Sequence, residues 1–432
     1  MGMLRRIEPR RLMVGTTPWA VDQLFASGEQ GAWYDPSDMS TLFQDSAGTT
    51  PVTAVEQPVG LMLDKSGRGN HAIQATTTKR PVLSRRVNLL RKTEQFQDVA
   101  WGKTLCSVTP DSAIAPDGTL TADLIIPDAS SGIRYVSIAG SGNSIYKVRI
   151  KNGGLRYAAF GNAAAVTVVD LDSGTISTTS KAGMSFAVTA LGDGWYEVTC
   201  ANPTATAYQY QLFAGVDGTG GNIATDGVAG IHAWGASTTR STDAHLPYQR
   251  VNTATDYDAP AKYPAYTQVD GTDDALTSAT GGGGTTGFFF SSAVLTTLGD
   301  AKQVLWSDAG TNTGYEVSIS ATNKLQLSVG TGATRVTVES AALSTNARYV
   351  LTAWHDGTTI YVRVNNSAPV SVACGVASAG TAGVTQFCEN GASAGYFRGR
   401  SYGVVYRKDA APGPATIDAV IRYLAAKSGR PV

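Results

Sequence analysis

The sequence predicts an all-β protein of two β-sandwich (jelly-roll) domains, one inserted in the other, with a short C-terminal helix. Glycine is abundant, at 48 of 432 residues, and only 16% of the residues are charged. This composition is typical of strands joined by many turns. Segments in which apolar and polar residues alternate recur along the chain between turn residues. Helical spacing is clear near the end, at Ile417, Val420, Ile421 and Leu424.

Size and charge restrict the organisation and the partners of the chain. A chain of 432 residues is too long for one ordinary core, so we expect two or three domains. The formal net charge of +0 argues against nucleic acid or an anionic membrane as the main partner. No apolar run approaches the roughly 18 residues that span a bilayer. No apolar segment of a secretory signal follows the charged N-terminus. We therefore expect that the chain is not inserted in a membrane. We expect it to assemble in the cytoplasm.

Residues 1–30 differ from the rest and are predicted to form a separate N-terminal arm. Four arginines crowd its start, namely Arg5, Arg6, Arg10 and Arg11. Pro18–Ala26 is predicted to form a short helix that contains Trp19. Two interpretations stay open, a mobile basic tail and an arm that docks on a partner, for which an aromatic anchor is suited.

The first strand-rich stretch, residues 33–83, contains a glycine-rich turn at Asp64–Ala72. A short apolar run leads into this turn, as expected of a strand. The two glycines of the turn can take positive φ. Asp64, Ser66 and Asn70 carry side chains that can hydrogen-bond the backbone of a turn. We therefore predict that these three residues build the turn.

From about residue 88 to residue 250, alternation indicates a second β domain. Ile145–Ile150 and Ala165–Leu171 alternate between apolar and polar residues, and Asp172–Thr175 supplies a hairpin turn. Further short motifs are Asn88-Leu89-Leu90, Trp101, Ala115–Thr119, Thr121–Asp123, Gly194–Tyr196 and Trp234–Ala236. Together with Val169–Thr175, and in the order in which they occur, these motifs resemble the jelly-roll modules, similar to carbohydrate-binding modules, that recur in bacteriophage structural proteins. The resemblance implies a fold and says much less about a ligand.

The last third of the chain again alternates between apolar and polar residues. The predicted strands are Tyr315–Ser320, Leu325–Val329, Thr334–Glu339, Tyr349–His355 and Thr359–Asn365. Asp356-Gly357 and Asn365-Asn366 are suited to hairpin turns. The terminal helix follows Pro414 and ends before Gly429.

Val269–Leu276 leads from an apolar residue through Asp-Gly into an aspartate-rich turn. It resembles the strand motif of concanavalin A-like and laminin-G-like sandwiches, where it usually follows closely on a turn like Asp64–Ala72. Here the two motifs are far apart, which implies an insertion between them. We therefore predict an arm of residues 1–30, a discontinuous sandwich of residues 31–87 and 255–432, and an inserted jelly roll of residues 88–254.

Trp33–Asp38, Leu42–Asp45 and Gly48–Val52 resemble segments of bacteriophage virion proteins with this layout. The resemblance implies a non-enzymatic virion component, on the tail (a tail fibre) or the capsid exterior, for host-surface glycan adhesion or particle decoration. Such proteins are usually homo-oligomers. The arm would bind other virion proteins through Arg5, Arg6, Arg10, Arg11 and Trp19. A polysaccharide depolymerase and a structural spacer without glycan affinity are the alternatives.

Catalytic constellations are not evident in the sequence. Glycoside hydrolysis needs two carboxylates about 5–9 Å apart, which on one strand would stand two residues apart. No predicted strand in residues 285–410 carries such a pair, because Glu316 and Glu339 stand alone. The four histidines are scattered, and no Gly-x-Ser-x-Gly elbow sits between a predicted strand and a helix. We therefore predict no catalytic residues.

Sugar recognition uses aromatic faces flanked by polar groups. Tyr208 and Tyr210 alternate with glutamines on one strand, and together with Trp234 they are the predicted ligand-binding residues. Trp195 and Trp354 lie within alternating strands and are expected in the core.

A metal site would lie in the aspartate-rich turns, because calcium takes oxygen ligands from loops. Asp64, Asp270 and Asp273 are the predicted ligands, and we expect no other cofactor. Of the four cysteines, Cys374 and Cys388 could pair across a hairpin, but buried thiols in a reducing compartment are favoured.

Overall fold

The computed structural model describes residues 21–130, 132–140, 144–162, 165–179, 183–202, 208–253, 256–257, 262–282, 284–391, 394–408 and 410–430. The four predicted arginines of the arm and Trp19 lie outside these ranges. Of the predicted helix Pro18–Ala26, the described part forms a 3-10 helix at Val21–Phe25.

The described residues contain 29 strands and one α-helix. The first five strands are β1 (Gly31–Tyr34), β2 (Leu42–Phe43), β3 (Leu61–Met62), β4 (Ala72–Ile73) and β5 (Val82–Ser84). Twelve follow: β6 (Gly102–Thr104), β7 (Cys106–Ile114), β8 (Leu120–Pro127), β9 (Tyr135–Gly140), β10 (Ser144–Gly153), β11 (Tyr157–Asn162), β12 (Ala165–Asp170), β13 (Thr175–Thr179), β14 (Ser185–Gly192), β15 (Trp195–Asn202), β16 (Tyr208–Phe213) and β17 (Gly230–Arg240). The last twelve are β18 (Tyr266–Asp270), β19 (Leu276–Ser278), β20 (Phe288–Thr296), β21 (Gln303–Ser307), β22 (Tyr315–Ile319), β23 (Lys324–Gly330), β24 (Arg335–Ala342), β25 (Arg348–His355), β26 (Thr359–Val364), β27 (Val370–Ala373), β28 (Val384–Gln386) and β29 (Arg398–Lys408). Helix α1 spans Pro414–Lys427, and further 3-10 helices span Met39–Thr41, Thr77–Lys79 and Ser241–Asp243.

Two antiparallel sheets combine strands from both ends of the chain. Sheet I has the order β27-β26-β25-β20-β29-β18-β5, and β1 also pairs with β29. Sheet II has the order β2-β3-β4-β19-β28-β21-β22-β23-β24. Phe290 and Leu351 of sheet I share one buried core with Val317 and Leu327 of sheet II. The two sheets therefore form a sandwich.

The strands that lie between β5 and β18 in the sequence form two further sheets. Sheet III has the order β14-β15-β10-β17-β8-β7, and sheet IV has the order β13-β12-β11-β16-β9-β6. Val148 and Val198 of sheet III pack in one core with Phe160 and Leu212 of sheet IV. The all-β fold class with two sandwiches is confirmed.

The leading segment belongs to the first sandwich. Strand β5 pairs with β18, so that Leu83 lies opposite Thr267. Strand β3, which leads into Asp64, pairs with β4, and Ile73 of β4 lies opposite Thr277 of β19. Residues before 85 and after 265 thus share sheets, while β6–β17 form the other two sheets. The exact limits of the inserted domain, residues 88–254, stay a prediction.

Asn88 and Gln249 hold the two connections between the sandwiches side by side. The Gln249 side-chain oxygen accepts hydrogen bonds from the Val87 N–H at 2.7 Å and the Asn88 N–H at 3.0 Å. The Asn88 amide in turn donates to the Gln249 carbonyl at 2.8 Å. Both side chains are buried. This exchange satisfies backbone groups where the chain leaves one sandwich and returns to it.

Helix α1 covers part of the outer face of sheet I, and its apolar stripe explains why. Val420 and Leu424 pack in one cluster with Phe289 of sheet I. Val21 and Phe25 of the first 3-10 helix are buried in the same cluster. Residues 21–25 therefore pack on the sandwich, so the predicted limit of the arm at residue 30 lies too far along the chain. The predicted C-terminal helix is confirmed.

The cysteines are free thiols, and the helices are too short or too polar to cross a membrane, as far as the described residues go. No disulfide links the four cysteines, all of which are described, and Cys374 and Cys388 are buried thiols. In the described part of the chain, no helix has the length and apolar character that crossing a membrane requires.

Candidate functional site

A cleft of about 560 Å³ opens on the outer face of sheet I, beside the start of helix α1. We call it the aromatic cleft. It is lined by Trp354, Asp356, Tyr361, Arg363, Asn366, Ser367, Ala368, Pro369, Ala411, Pro412, Pro414, Ile417 and Asp418. Strands β25 and β26 supply one wall and the start of helix α1 supplies the other.

The β25–β26 hairpin sets the position of the aromatic wall. The Asp356 carboxylate accepts hydrogen bonds from the N–H groups of Thr358 and Thr359, both at 2.9 Å, which fixes the turn. Trp354 lies directly opposite Tyr361 in the register of the two strands. Their rings stack with centroids 4.8 Å apart and an angle of 8° between planes. Both side chains are half-buried.

Polar groups surround the aromatic pair. The Tyr361 hydroxyl donates to the Asp356 carboxylate at 3.0 Å. The Arg363 guanidinium donates to the Asp418 carboxylate at 2.7 Å, and Asn366 is exposed at the rim. Burial acts to raise the pKa of Asp356, but hydrogen bonds from neighbouring N–H and O–H groups outweigh it and lower that pKa. The cleft thus combines an apolar ring surface with charged and amide side chains.

A second cleft, of about 490 Å³, lies on the outer face of sheet II. Here the Lys302 ammonium contacts two carboxylates, Glu316 at 3.1 Å and Glu389 at 2.5 Å. Glu389 comes from the loop after β28, so the sequence pattern of strands did not reveal this pairing. The cleft contains two carboxylates bridged by one cation.

The Asp64 carboxylate is engaged by its own turn. One oxygen accepts hydrogen bonds from the Trp33 N–H at 3.0 Å and the Ser66 N–H at 2.8 Å. The other accepts from the Ser66 hydroxyl at 2.7 Å and the Asn70 N–H at 3.1 Å. The predicted turn is therefore present. Because these donors occupy both oxygens, the geometry does not support the prediction of Asp64 as a metal ligand.

Asp270, Asp273 and Asp274 lie together at the end of β18, with one oxygen of each within 4.8 Å of the others. The Asp270 N–H donates to the Asp274 carboxylate at 2.9 Å. Burial, followed by the charges of the other two aspartates, raises the pKa of Asp274 to about 6. Such a group of oxygens suits calcium, and a calcium site at Asp270 and Asp273 stays a prediction.

The predicted ligand-facing tyrosines lie on β16. Tyr210 is buried, its ring stacks on Tyr146 with centroids 4.4 Å apart, and it packs in the core of the second sandwich. The residues of β16 that reach solvent include Gln209 instead. Alternation along the strand was correct, but the tyrosine faces inward, so Tyr210 is not retained as a ligand-binding residue. The side chain of Tyr208 lies outside the described residues.

Trp234 is also buried, with 5% of its surface exposed. Its indole N–H donates to the Thr121 hydroxyl at 3.0 Å, and its ring packs against Tyr248 and Trp195. A ring covered in this way cannot stack on a sugar, so Trp234 is not retained as a ligand-binding residue either.

Trp354, which was expected in the core, was also placed wrongly by the sequence interpretation. In β25, Leu351 and Ala353 face the core shared with sheet II, whereas Trp354 projects on the opposite face. The alternation of the strand contained this signal. What it did not show is that helix α1 leaves this part of the outer face open.

No protein-family model matches the chain, and no curated protein matches it. The receptor-binding domain of botulinum neurotoxin type G aligns with 10% identity, covering 37% of this chain and 42% of that chain, at a TM-score of 0.31. The chain thus spans less than half of that domain.

Two further solved structures align. The Ruminococcus gnavus IT-sialidase CBM40 bound to alpha2,3 sialyllactose aligns with 14% identity over 32% of this chain and 83% of that chain, at a TM-score of 0.28. Domains LG4-5 of the mouse laminin alpha1 chain align with 14% identity over 73% of this chain and 97% of that chain, at a TM-score of 0.29. Scores this low do not establish a shared fold. The sheets themselves define the chain as an all-β protein with two sandwiches.

Proposed function

We propose that this chain is a non-enzymatic bacteriophage virion component, on the tail or the capsid exterior, that binds host-surface glycans through the aromatic cleft. The observation that carries the binding part is the stacked pair Trp354 and Tyr361 in an open cleft rimmed by charged and amide groups. The virion part is supported by the resemblance of residues 33–52 and 88–236 to phage structural proteins.

The chemistry of the cleft suits a saccharide. The C–H face of a pyranose ring packs on an aromatic plane, and its hydroxyl groups pair with planar polar side chains. Asp356, Asn366 and Asp418 supply acceptors or donors at the same cleft. A volume of about 560 Å³ is sufficient for a short oligosaccharide.

The binding part is tested by screening the full chain on a glycan array and measuring the Kd of each hit by calorimetry. Trp354→Ala should weaken binding at least tenfold, or about 1.4 kcal/mol, because the stacking surface is lost. Trp354→Phe keeps a ring and should bind within a few-fold of the wild type. Circular dichroism and thermal melting check that both variants fold. Glycan binding that Trp354→Ala leaves unchanged would refute this cleft as the site.

The virion part is tested by deleting residues 1–20 and measuring incorporation into particles by mass spectrometry. The deletion stops at residue 20 because Val21, Leu24 and Phe25 are buried in the sandwich. We propose that Arg5, Arg6, Arg10, Arg11 and Trp19 contact other virion proteins, so the truncated chain should fold but fail to assemble. Normal incorporation would contradict the anchoring role. Light scattering of the purified chain tests the expected homo-oligomer.

A polysaccharide depolymerase is the second candidate, favoured by the two carboxylates that flank Lys302. Paired carboxylates are the groups that glycosidic cleavage requires. Incubation with host capsule or lipopolysaccharide, followed by assay of new reducing ends, decides this point. Cleavage by the wild type that Glu316→Gln abolishes would replace the first proposal. A chain that neither binds nor cleaves any glycan would be a structural spacer.

A further inference from the structure

Four arginines surround one cavity where the two sandwiches meet. The cavity measures about 470 Å³ and is lined by Glu56, Val82, Ser84, Arg86, Leu89, Arg91, Arg240, Tyr266, Gln268 and Arg400. We call it the basic junction. Arg400 lies on β29 of sheet I and Arg240 ends β17 of sheet III, so both sandwiches contribute charge to it.

Arg400 is the most buried of these cations. Only 3% of its surface is exposed, and its Nε and Nη1 groups have no hydrogen-bond partner among the described residues. The nearest carboxylate oxygen, Oδ2 of Asp243, lies 3.6 Å from Nη1. The guanidinium also stands 4.3 Å from the centroid of the Tyr266 ring. Buried donors without a partner are costly, so a second group that accepts from them would stabilise the site.

Arg240 lies beside Arg400 and likewise has a buried N–H group without a hydrogen-bond partner among the described residues. Its Nε donates a long hydrogen bond of 3.4 Å to the Asn346 side chain, while its Nη1 is buried without a partner among the described residues. Burial and then the positive charge of Arg400 lower the pKa of Arg240 to about 10. The positive charges of Arg240 and Arg400 therefore repel each other in a partly buried environment.

The acids near this cavity do not balance the arginines. Glu56 is the one acid among its described lining residues, and its carboxylate already accepts from the Ser84 hydroxyl at 2.6 Å. Asp243, behind Arg400, is shared with Arg348, which contacts it at 2.5 Å. Positive charge is therefore in excess on this wall.

A second cavity of about 260 Å³ adjoins the basic junction, because Arg86 and Arg91 line both. Lys92 adds a further cation there, together with Asn252 and Tyr257. The combined space is larger than a free phosphate or sulfate ion needs.

We propose that the basic junction binds an oxyanion, a carboxylate, sulfate or phosphate group, presented by a molecule that also occupies the adjoining cavity. The planar guanidinium groups match the paired oxygens of such anions. The anion would accept from the buried donors of Arg400 and Arg240 and offset the excess charge. This inference does not depend on the aromatic cleft, since the two sites share no residue.

The test is calorimetric titration of the full chain with sodium phosphate and sodium sulfate, in chloride of matched ionic strength. A uronic-acid oligosaccharide and its neutral counterpart are titrated in parallel. Saturable binding of the inorganic ions identifies the free ion as sufficient. Binding of the acidic oligosaccharide alone identifies a carboxylate carried by a sugar. Absence of saturable binding by all the acidic probes would overturn the proposal.

Variants locate the binding. Arg91→Gln and Arg240→Gln should each weaken binding of the anion about tenfold, the loss expected for one charge-assisted hydrogen bond. Arg91 is exposed, so this variant should fold even if Arg240→Gln does not. Arg422→Gln removes an exposed charge on α1 outside the basic junction and should bind as the wild type does. Equal weakening by Arg422→Gln, or none by Arg91→Gln and Arg240→Gln, would refute the site.

Discussion

The Lys427 ammonium lies 2.8 Å from the Asp35 carboxylate, across 392 residues of chain. Asp35 directly follows β1 and Lys427 ends helix α1, so this ion pair ties the helix to the leading segment. The Tyr423 hydroxyl donates to the same carboxylate at 3.2 Å and the Ser37 hydroxyl donates at 2.6 Å. Asp35 is buried, and these donors compensate for its burial.

Asp35→Asn should destabilise the fold by about 2 kcal/mol, because a partly buried ion pair loses its anion. Urea unfolding measures this change. Asp38→Asn, which alters a more exposed carboxylate beside Lys65, is the matched control and should cost under about 1 kcal/mol. An equal loss in both variants would show that the contact to Lys427 has no special weight.

The Asp35 carboxylate should also make the stability of the fold depend on pH. Burial acts to raise the pKa of Asp35, but hydrogen bonds from Lys427 and Ser37 outweigh it and hold the pKa below its ordinary value of 3.8. Asp35 therefore stabilises the fold above pH 3.8, and this contribution is lost as the pH falls through the lower folded value. Acid unfolding followed by fluorescence should be steeper for the wild type than for Asp35→Asn. Parallel curves would contradict the assignment.

The raised pKa of Asp274 should make stability change with pH in the opposite direction. Its pKa is raised to about 6, so the wild type should gain stability as the pH falls from 6 toward 3.8. Asp274→Asn keeps an oxygen that can accept from the Asp270 N–H and removes the repelled charge. Melting temperatures of this variant should exceed those of the wild type at pH 7 and vary less with pH. Asp300→Asn, an exposed control, should leave the profile unchanged.

Asn70 joins the glycine-rich turn to the chain that follows β19. Its amide donates to the Gly31 carbonyl at 2.7 Å, and its oxygen accepts from the Thr280 hydroxyl at 2.6 Å. Asn70→Ala should cost about 2–3 kcal/mol, because it leaves buried groups without partners. Thr280→Ala should cost about 1 kcal/mol, and a double-mutant cycle should show coupling between the two. Asn312→Ala, at an exposed turn, is the control, and additive losses would refute the coupling.

The cysteines give a prediction that is simple to measure. Burial raises the pKa of the Cys106 and Cys388 thiols to about 12, and Cys388 has no exposed surface. A thiol reagent at pH 8 should therefore react slowly with the folded chain and rapidly with four thiols per chain in guanidinium chloride. Fewer than four reactive thiols without a reducing agent would indicate a disulfide that this fold does not contain.

Local sequence patterns determined much of the fold. The predicted strands Tyr349–His355 and Thr359–Asn365 differ by a single residue at one end from β25 and β26, because alternation and the Asp356-Gly357 turn agree there. The terminal helix was correct for the same reason, since its apolar spacing, Pro414 and Gly429 all mark one element. The strand Thr334–Glu339 was less accurate, since β24 continues to Ala342 beyond the predicted end.

The sequence by itself determined the all-β class, the strands and turns, and the turn-building role of Asp64, since these depend on neighbours in the chain. It did not determine which side chains face solvent on a two-sided sheet. Tyr210 and Trp354 were therefore assigned to the wrong faces. Only the tertiary structure brought Glu389 to Lys302, Arg400 to Arg240, and helix α1 to the edge of the aromatic cleft. These contacts join residues that are distant in sequence, and no local pattern specifies which distant residues meet.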